Sequence, residues 1–185
     1  MQLRTRACIL VVALAGGLAS TTAVADDLFL KFGGDILGDS TDAQHPDEIV
    51  LLSYAFGVDA DTSWTRGGGA SVGKPNPGDL RFTAVMNRSV AAIVKHITRG
   101  NSAPTATLTV RSTAPGSRAG FEYVKYTFTG LFFTSVDQGL TGTGRAVNSV
   151  SAVYKTVQIE QFAPGDPRAV SCVKWDVPAG TVEDC

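Results

Sequence analysis

The sequence predicts a mainly β protein whose strands curl into a closed or nearly closed barrel, with one α-helix among them. Apolar and polar residues alternate with a period of two along most of the chain after residue 26, which is typical of β-strands. Two long segments, residues 124–133 and 150–159, each shift this alternation by one residue, which indicates a bend at a β-bulge. Two long, bent strands in succession are what a barrel requires.

A polar loop separates the first two strands. Residues 28–32 alternate and form the first strand, and residues 35–47 are polar and rich in turn formers. Residues 48–58 alternate again and are predicted as one second strand. One face of this strand carries small residues toward its end, at Ser53 and Ala55.

The segment that follows, residues 59–78, has no periodicity and contains five Gly and two Pro, which predicts a long loop of the kind that is usually functional. Trp64 lies in it and must bury its ring, either against its own barrel or against a neighbouring molecule. Residues 68–74 match the start of a phosphate-binding loop. Pro75 stands where that loop needs Ser or Thr, and Pro77 prevents the helix that must follow, so a phosphate site is excluded.

The one predicted helix follows a short third strand over residues 80–84. Asn87 is the expected N-cap and Gly100 ends the helix. Its apolar stripe consists of Val90, Ile93, Val94 and Ile97. His96 lies in the last turn, where a basic side chain complements the helix dipole, and is interpreted as a helix-end residue.

Strands account for the remainder of the chain. Residues 106–110 alternate, the two bent segments follow, and a last strand lies near residues 170–177. The sequence contains no internal repeat and no sign of a second domain, so residues 26–185 are predicted to form a single domain.

Residues 1–25 are interpreted as a Sec-type signal peptide. Arg4 and Arg6 precede an apolar run over residues 8–18, and residues 23–25 supply the small-x-small pattern of a cleavage site before Asp26. The apolar run is shorter than the roughly 20 residues that span a bilayer, so no membrane insertion is expected after removal of the signal. The protein is therefore expected to be exported, to the periplasm or beyond the cell.

Charge and cysteine content limit the class of partner. Removal of the signal leaves 14 basic and 17 acidic residues, a net charge of −3, without a basic tract, so nucleic acid is not an expected partner. Cys172 and Cys185 remain, and an even pair in an oxidising compartment is typical of a disulfide; two unpaired thiols are the alternative. Two Cys and two His scattered along the chain exclude a zinc site.

The order of these elements, with the residues at their joints, resembles the Hcp (haemolysin-coregulated protein) family of type VI secretion tube proteins. In that family a D-x-F-I-K-I strand leads into a G-(E/D)-S-x-D-x-x-H loop and an E-I-x-V-L strand. The matching positions here are Gly38, Asp39, Ser40, Asp42, His45, Glu48 and Ile49. Later matches are a D-L-x-F-T segment (Asp79, Leu80, Phe82, Thr83) and a closing K-W-D segment (Lys174, Trp175, Asp176).

The resemblance implies an Hcp-like β-barrel of two antiparallel sheets with one α-helix at its side. It implies hexameric rings that stack into a tube and carry effector cargo in the lumen, with no reaction catalysed and no cofactor. In the family the extended loop makes the subunit and ring-to-ring contacts, a role that falls here on Trp64, Arg66, Gly67, Gly68 and Gly69. Small residues line the lumen, a role assigned to Ser53 and Ala55.

One feature departs from the family. Its tube subunits stay in the cytoplasm until the tube is fired, whereas a Sec signal would carry this chain away from that machinery. A second hypothesis is therefore an exported, monomeric β-barrel binding module, which would bind a protein or a glycan through the same exposed loop.

The acidic loop before the second strand contains residue types that can bind a cation or take part in acid–base catalysis. Asp39, Asp42, His45, Asp47 and Glu48 lie within ten positions, but their spacing is not that of an EF-hand. They are interpreted as a solvated turn that His45 pins by hydrogen bonds. The nucleophile motif G-x-S-x-G is absent from the sequence, and an enzyme is not expected.

Overall fold

The computed structural model describes residues 26–64, 70–113, 120–142 and 144–185, and it leaves out the side chains of residues 63–64 and 70–72. Within these ranges the chain forms one helix and eleven strands. In chain order they are β1 (Asp27–Phe32), β2 (Ile49–Ala55), β3 (Val58–Trp64), β4 (Ala70–Pro77), β5 (Leu80–Val85), α1 (Ser89–Arg99), β6 (Ala103–Arg111), β7 (Glu122–Leu140), β8 (Ala146–Val153), β9 (Thr156–Phe162), β10 (Ala169–Asp176) and β11 (Thr181–Asp184). No helix in the described ranges combines the length and the apolarity that crossing a bilayer requires.

The main sheet closes on itself. The strands β7, β6, β1, β2, β5 and β8 are neighbours in that order, and β8 pairs again with β7, so these six strands form an antiparallel ring. Closure depends on the length of β7, whose first half pairs with β6 and β9 while its second half pairs with β8. Strands β9, β10 and β11 extend the sheet beyond the ring. The predicted fold, a β-barrel with one helix at its side, is confirmed.

The barrel is filled by large apolar side chains. The most deeply buried are Leu30, Ile36, Ile49, Leu80, Phe82, Ile93, Leu108, Phe128, Leu131, Val150 and Val157. Burial of each such side chain contributes roughly 1.5–3 kcal/mol, so this core is the main source of stability. The helix supplies Ile93 to it and packs against β7.

The two predicted phase changes lie opposite each other, but they differ in kind. In β7 the change falls at Gly130, which has a positive φ of 59°. The register with β6 continues across Gly130, so the predicted bulge is absent at this residue, and a register shift with β8 lies between Phe133 and Ser135. The change predicted within residues 150–159 is not a bulge in one strand: β8 ends at Val153, and β9 begins at Thr156. Both β8 and β9 pair with β7 along one edge. They are separate strands because the other edge of β8 pairs with β5, whereas the other edge of β9 pairs with β10.

The prediction of a single second strand over residues 48–58 was wrong. The strand ends at Ala55, because the chain must turn at Gly57, whose carbonyl accepts the N–H of Gly78 at 2.8 Å. A register shift also lies between Leu51 and Ser53. It turns Tyr54 toward the core and leaves Ser53 and Ala55 exposed on the side that Val50 and Leu52 also occupy.

The described parts of residues 59–78 are two paired β-strands and not the predicted loop. Strands β3 and β4 pair in register from Val58 opposite Pro77 to Trp64 opposite Ala70, with one irregularity between Ala60 and Thr62. Apolar periodicity is missing because the hairpin buries little, and backbone pairing shapes it instead. Proline is compatible with β4 because, among the described residues, β4 pairs with β3 alone, so no further strand needs the missing N–H.

The helix begins one residue later than the N-cap at Asn87 predicted. Arg88 occupies the cap position in a helical conformation, while the side-chain oxygen of Asn87 accepts the N–H of Ser89 at 2.9 Å. Gly100 ends the helix in a left-handed conformation, as expected. Besides β3 and β4, the strand β11 was not predicted; its four residues are all exposed.

Candidate functional site

The loop that joins β1 to β2, residues 35–48, is a compact unit with its own backbone pairing. The N–H of Gly38 donates to the carbonyl of Asp47 at 2.7 Å, and the N–H of Ser40 donates to that of Glu48 at 3.0 Å. A Cβ atom at Gly38 would lie 2.2 Å from the backbone oxygen of Glu48. Glycine is therefore required at this position, because the two chain segments meet too closely for any side chain.

Asp42 organises the turn within this loop. Its Oδ1 accepts the backbone N–H groups of Gln44 at 2.8 Å and of His45 at 3.2 Å, while Ser40 Oγ accepts the N–H of Asp42 at 3.2 Å. Its Oδ2 accepts a hydrogen bond from Arg111 Nη2 at 2.6 Å. The hydrogen bond from Arg111, and then those from the backbone, hold the pKa of Asp42 well below its usual range.

His45 is buried between two carboxylates and an aromatic ring. Its Nδ1 lies 3.1 Å from Glu48 Oε2, and its Nε2 lies 3.2 Å from Glu122 Oε1. The imidazole stacks on Phe29, with ring centroids 4.1 Å apart and planes 11° from parallel. The residue is only 5% exposed. The solvated turn predicted from the sequence was therefore wrong for His45 and Glu48, which are buried, whereas the predicted pinning by His45 is present.

Arg111, at the end of β6, ties the loop to the barrel. Its guanidinium donates to Asp27 at 2.8 Å and to Asp42 at 2.6 Å, and its Cζ lies 4.7 Å from the centre of the Phe29 ring. The hydrogen bond to Asp42 is the first cause that raises the pKa of Arg111 above its ordinary value. Arg111 and Glu122 were missed in the sequence because their partners lie far away along the chain, 69 residues for Arg111 and Asp42.

The same loop is bound to the helix at two points. At the start of the helix, Arg88 Nε donates to the carbonyl of Gly38 at 2.6 Å and lies 3.3 Å from Asp39 Oδ1, and its Nη2 pairs with Asp47. In the last turn, Asp35 pairs with His96 at 3.0 Å and with Lys95 at 2.9 Å, and these hydrogen bonds lower its pKa. The predicted helix-end role of His96 is thus accompanied by a contact to the loop.

These contacts make the loop a clamp between β1, β6, β7 and α1. Asp35, Asp39, Asp42, Asp47 and Glu48 each pair with a cationic side chain or with His45. Across the described ranges of the chain, no group of three or more His, Cys, Asp or Glu side chains is arranged to hold a metal ion. The arrangement suits rigid support of a barrel wall better than proton transfer to a bound molecule.

A second feature is the exposed face of β2. Val50 is 49% exposed and Leu52 is 53% exposed, and Ser53 and Ala55 continue the same side of the strand. Beside it lies a cavity of about 400 Å³, which is lined by Asp39, Val50, Leu52, Val85, Met86, Asn87 and Arg145. Apolar side chains grouped on an exposed face are typical of a surface that meets another molecule.

The predicted contact loop is only partly described. The backbone of Trp64 ends β3 opposite Ala70, but its side chain lies outside the described residues, as do Arg66, Gly67, Gly68 and Gly69. No contact between these residues and the β2 face is therefore described.

The two C-terminal cysteines are joined in the structure. Cys172 in β10 and Cys185 after β11 form a disulfide with their Cα atoms 5.1 Å apart. The bond ties the end of the chain back to β10, as the sequence predicted for this pair. The K-W-D segment that resembles the closing motif of the family lies at the end of β10 and contains Trp175.

Comparison with known proteins identifies the family. Residues 29–161 match the family described as "Type VI secretion system effector, Hcp". The protein Hcp1 of Pseudomonas aeruginosa is 32% identical over 138 residues, which cover 74% of this chain and 83% of that protein.

Solved structures share the fold. The crystal structure of Hcp1 from Salmonella typhimurium superposes with a TM-score of 0.71 at 27% identity and covers 86% of this chain and 99% of its own. A structure described as that of a type six secretion system protein reaches a TM-score of 0.75 at 24% identity, with 86% of this chain and all of the other covered, and it supports the fold alone. The predicted family is confirmed: this chain belongs to the Hcp family of the type VI secretion system.

Proposed function

We propose that this chain is an exported Hcp subunit that forms hexameric rings, which stack into a tube and hold effector proteins in the lumen. The observation that carries the proposal is the closed barrel with its exposed β2 face, where Val50 and Leu52 lie next to the small residues Ser53 and Ala55. A soluble monomer gains nothing from apolar side chains on an outer strand face, whereas a ring subunit covers them with its neighbour. Membership of the Hcp family supports the same role.

The mechanism is geometric. A closed barrel has no free edges within its ring, and the loop clamp around His45 and Arg111 holds its wall rigid, so its faces keep one shape. We assign Val50 and Leu52 to the contact with the neighbouring subunit, and Ser53 and Ala55, at the other end of the β2 face, to the lumen wall, where short side chains leave room for cargo and hold it weakly. We assign the subunit and ring-to-ring contacts to the segment that connects β3 with β4, with Trp64, Arg66, Gly67, Gly68 and Gly69.

A structural role is also favoured over catalysis by the state of the titratable groups. A general base near neutral pH must reach its substrate, and His45 is 5% exposed and held by Glu48 and Phe29. His96 is held by Asp35. We therefore propose no reaction and no cofactor for this protein.

Export follows from the first 25 residues, which we propose are a signal peptide removed before Asp26. The Cys172–Cys185 disulfide supports this assignment, because such bonds persist in oxidising compartments. The protein would then act in the periplasm or outside the cell.

A second candidate function is an exported monomer that binds a protein or a glycan through the β3–β4 hairpin. The observation that favours it is the Cys172–Cys185 disulfide, because such bonds persist in oxidising compartments and not in the cytoplasm, where the family's tubes assemble.

Light scattering coupled to gel filtration separates the two candidates. A mass of six monomers, with ring-shaped particles of uniform diameter in electron micrographs, is the expected result. A monomer that persists at millimolar protein concentration would contradict the ring and favour the binding module.

A further inference from the structure

The last strand, β11, is attached weakly to the rest of the sheet. Its four residues are all exposed, and in the described part of the chain they pair with β10 alone, with Val182 opposite Trp175. A strand this short that buries almost no side chain is among the first parts of a sheet to open. By itself it would detach often from β10.

An apolar groove lies beside this strand. It has a volume of about 220 Å³, is almost free of polar lining, and is formed by Phe56, Val58, Pro75, Val157, Ile159, Val173, Trp175 and Val182. Val182 provides one wall while being 62% exposed. Trp175 is buried, and its Nε1 has no hydrogen-bond partner among the described residues. The β10 edge thus offers both backbone groups and an apolar seat for one side chain of an added strand.

The disulfide holds β11 in this place. Cys185 directly follows the strand, and its bond to Cys172 closes a segment with a sequence separation of 13 residues. The turn between β10 and β11 is also well defined, because the N–H of Ala179 donates to Asp176 Oδ1 at 2.9 Å and Gly180 adopts a positive φ of 66°. The turn keeps the strand near its position, so opening of the bond is reversible.

We propose that the Cys172–Cys185 disulfide is a redox-operated latch over a strand-binding edge. When the bond is closed, β11 covers the edge of β10. When it is open, β11 detaches, and the edge accepts an extended peptide that places an apolar residue where Val182 lies. The chemistry of this partner is that of β11 itself, which demonstrates what the edge binds: main-chain pairing plus one apolar side chain over Trp175.

The disulfide forms and opens by thiol–disulfide exchange with another protein. To close the latch, one cysteine thiolate attacks the disulfide of an oxidant protein, and the second cysteine displaces that protein from the mixed disulfide. Two electrons and two protons pass to the oxidant, which leaves as a dithiol. A dithiol reductant opens the latch by the reverse sequence. The latch does not depend on ring assembly, and it can be tested on a monomer.

Hydrogen exchange measured by mass spectrometry tests the latch. We expect the amides of residues 177–185 to exchange at least tenfold faster in the Cys172→Ser/Cys185→Ser protein than in the oxidised protein, while those of β7 and β9 keep their rates. Reduction of the wild-type protein with a dithiol, followed by reoxidation, should produce the same change reversibly and does not rely on a variant that folds. Equal exchange at residues 177–185 in the two states would overturn the proposal.

A peptide with the sequence of residues 179–185 tests the edge. Its cysteine carries a thionitrobenzoate group, so that attack by a protein thiolate releases a coloured thiol. In protein with Cys8→Ser and Cys185→Ser, Cys172 should react at least tenfold faster with this peptide than with one in which Val182 is replaced by Asp. In the matched protein with Cys8→Ser and Cys172→Ser, Cys185 should not distinguish the two peptides. Equal rates at Cys172 would show that the edge binds no strand.

Discussion

Gly130, within β7, and Lys155, between β8 and β9, face each other across neighbouring strands. The N–H of Lys155 donates to the carbonyl of Thr129 at 3.0 Å, and the side chain of Lys155 lies against the position that a Cβ of Gly130 would occupy. On one side of this point β7 pairs with β6 and β9, and on the other it pairs with β8. The barrel closes because β7 changes its pairing partners next to the point where β8 ends and β9 begins.

The Gly130 corner is open to a direct test. Gly130→Ala should lower the free energy of unfolding by about 1–2 kcal/mol, because a left-handed conformation is unfavourable for alanine and its Cβ would lie 2.8 Å from Lys155 Cδ. The measurement is urea unfolding followed by circular dichroism. Gly139→Ala in the same strand is the matched control, since nothing lies within 4 Å of its Cβ position, and it should be neutral. Equal effects of the two substitutions would contradict the role of this corner.

His45 should contribute strongly to the stability of the fold. His45→Ala removes the partner of the buried carboxylate of Glu48 and the ring that stacks on Phe29, which should cost about 3 kcal/mol in chemical denaturation. Gln138→Ala, at an exposed position of β7, serves as the control and should change stability by less than about 0.5 kcal/mol. A variant as stable as the wild type would mean that the clamp is dispensable.

Acid should weaken the protein through Asp42. Its pKa is held below the ordinary value of 3.8, first by the hydrogen bond from Arg111, so the unfolded chain takes up a proton before the folded one does. This contribution is fully present above the ordinary value and is lost as the pH falls through the lower, folded pKa. We expect urea midpoints for the wild type that decrease as the pH is lowered below about 4.

Two variants isolate that contribution. Asp42→Asn and Arg111→Gln should each be less stable than the wild type at pH 7 and should each lose less stability between pH 4 and pH 2. If either variant keeps the wild-type slope over this interval, the acid sensitivity arises elsewhere, for example at Asp35, whose pKa is lowered by His96 and Lys95.

The β2 face should govern assembly and not folding. Leu52→Lys places a charge on a side chain that is 53% exposed, so it should reduce the mass of the assembly toward that of a monomer and shift the melting temperature by no more than about 2 °C. Val170→Lys, at a 63% exposed position of β10, is the control and should leave the mass unchanged. An intact assembly in the Leu52 variant would remove this face from the interface.

Much of the fold could be predicted because its signals are local. The strand at residues 80–84, the apolar stripe of the helix and the phase change at Gly130 each follow from spacing along the chain. The clamp could be predicted only in part: Asp42 and His45 lie in one short loop, whereas Arg111 and Glu122 come from other strands. Their role depends on pairing between β1, β6 and β7, which no local pattern specifies.

The sequence alone determined the class of architecture, its family and the pair of cysteines, because alternation, ordered motifs and composition are properties of the chain itself. Only the tertiary structure decided where the barrel closes, that β3 and β4 pair with each other, and that Ser53 and Ala55 share a face with Leu52. The physical reason is that these features arise from backbone hydrogen bonds and from a one-residue register shift. Both depend on which strand lies alongside, and that partner is distant in sequence.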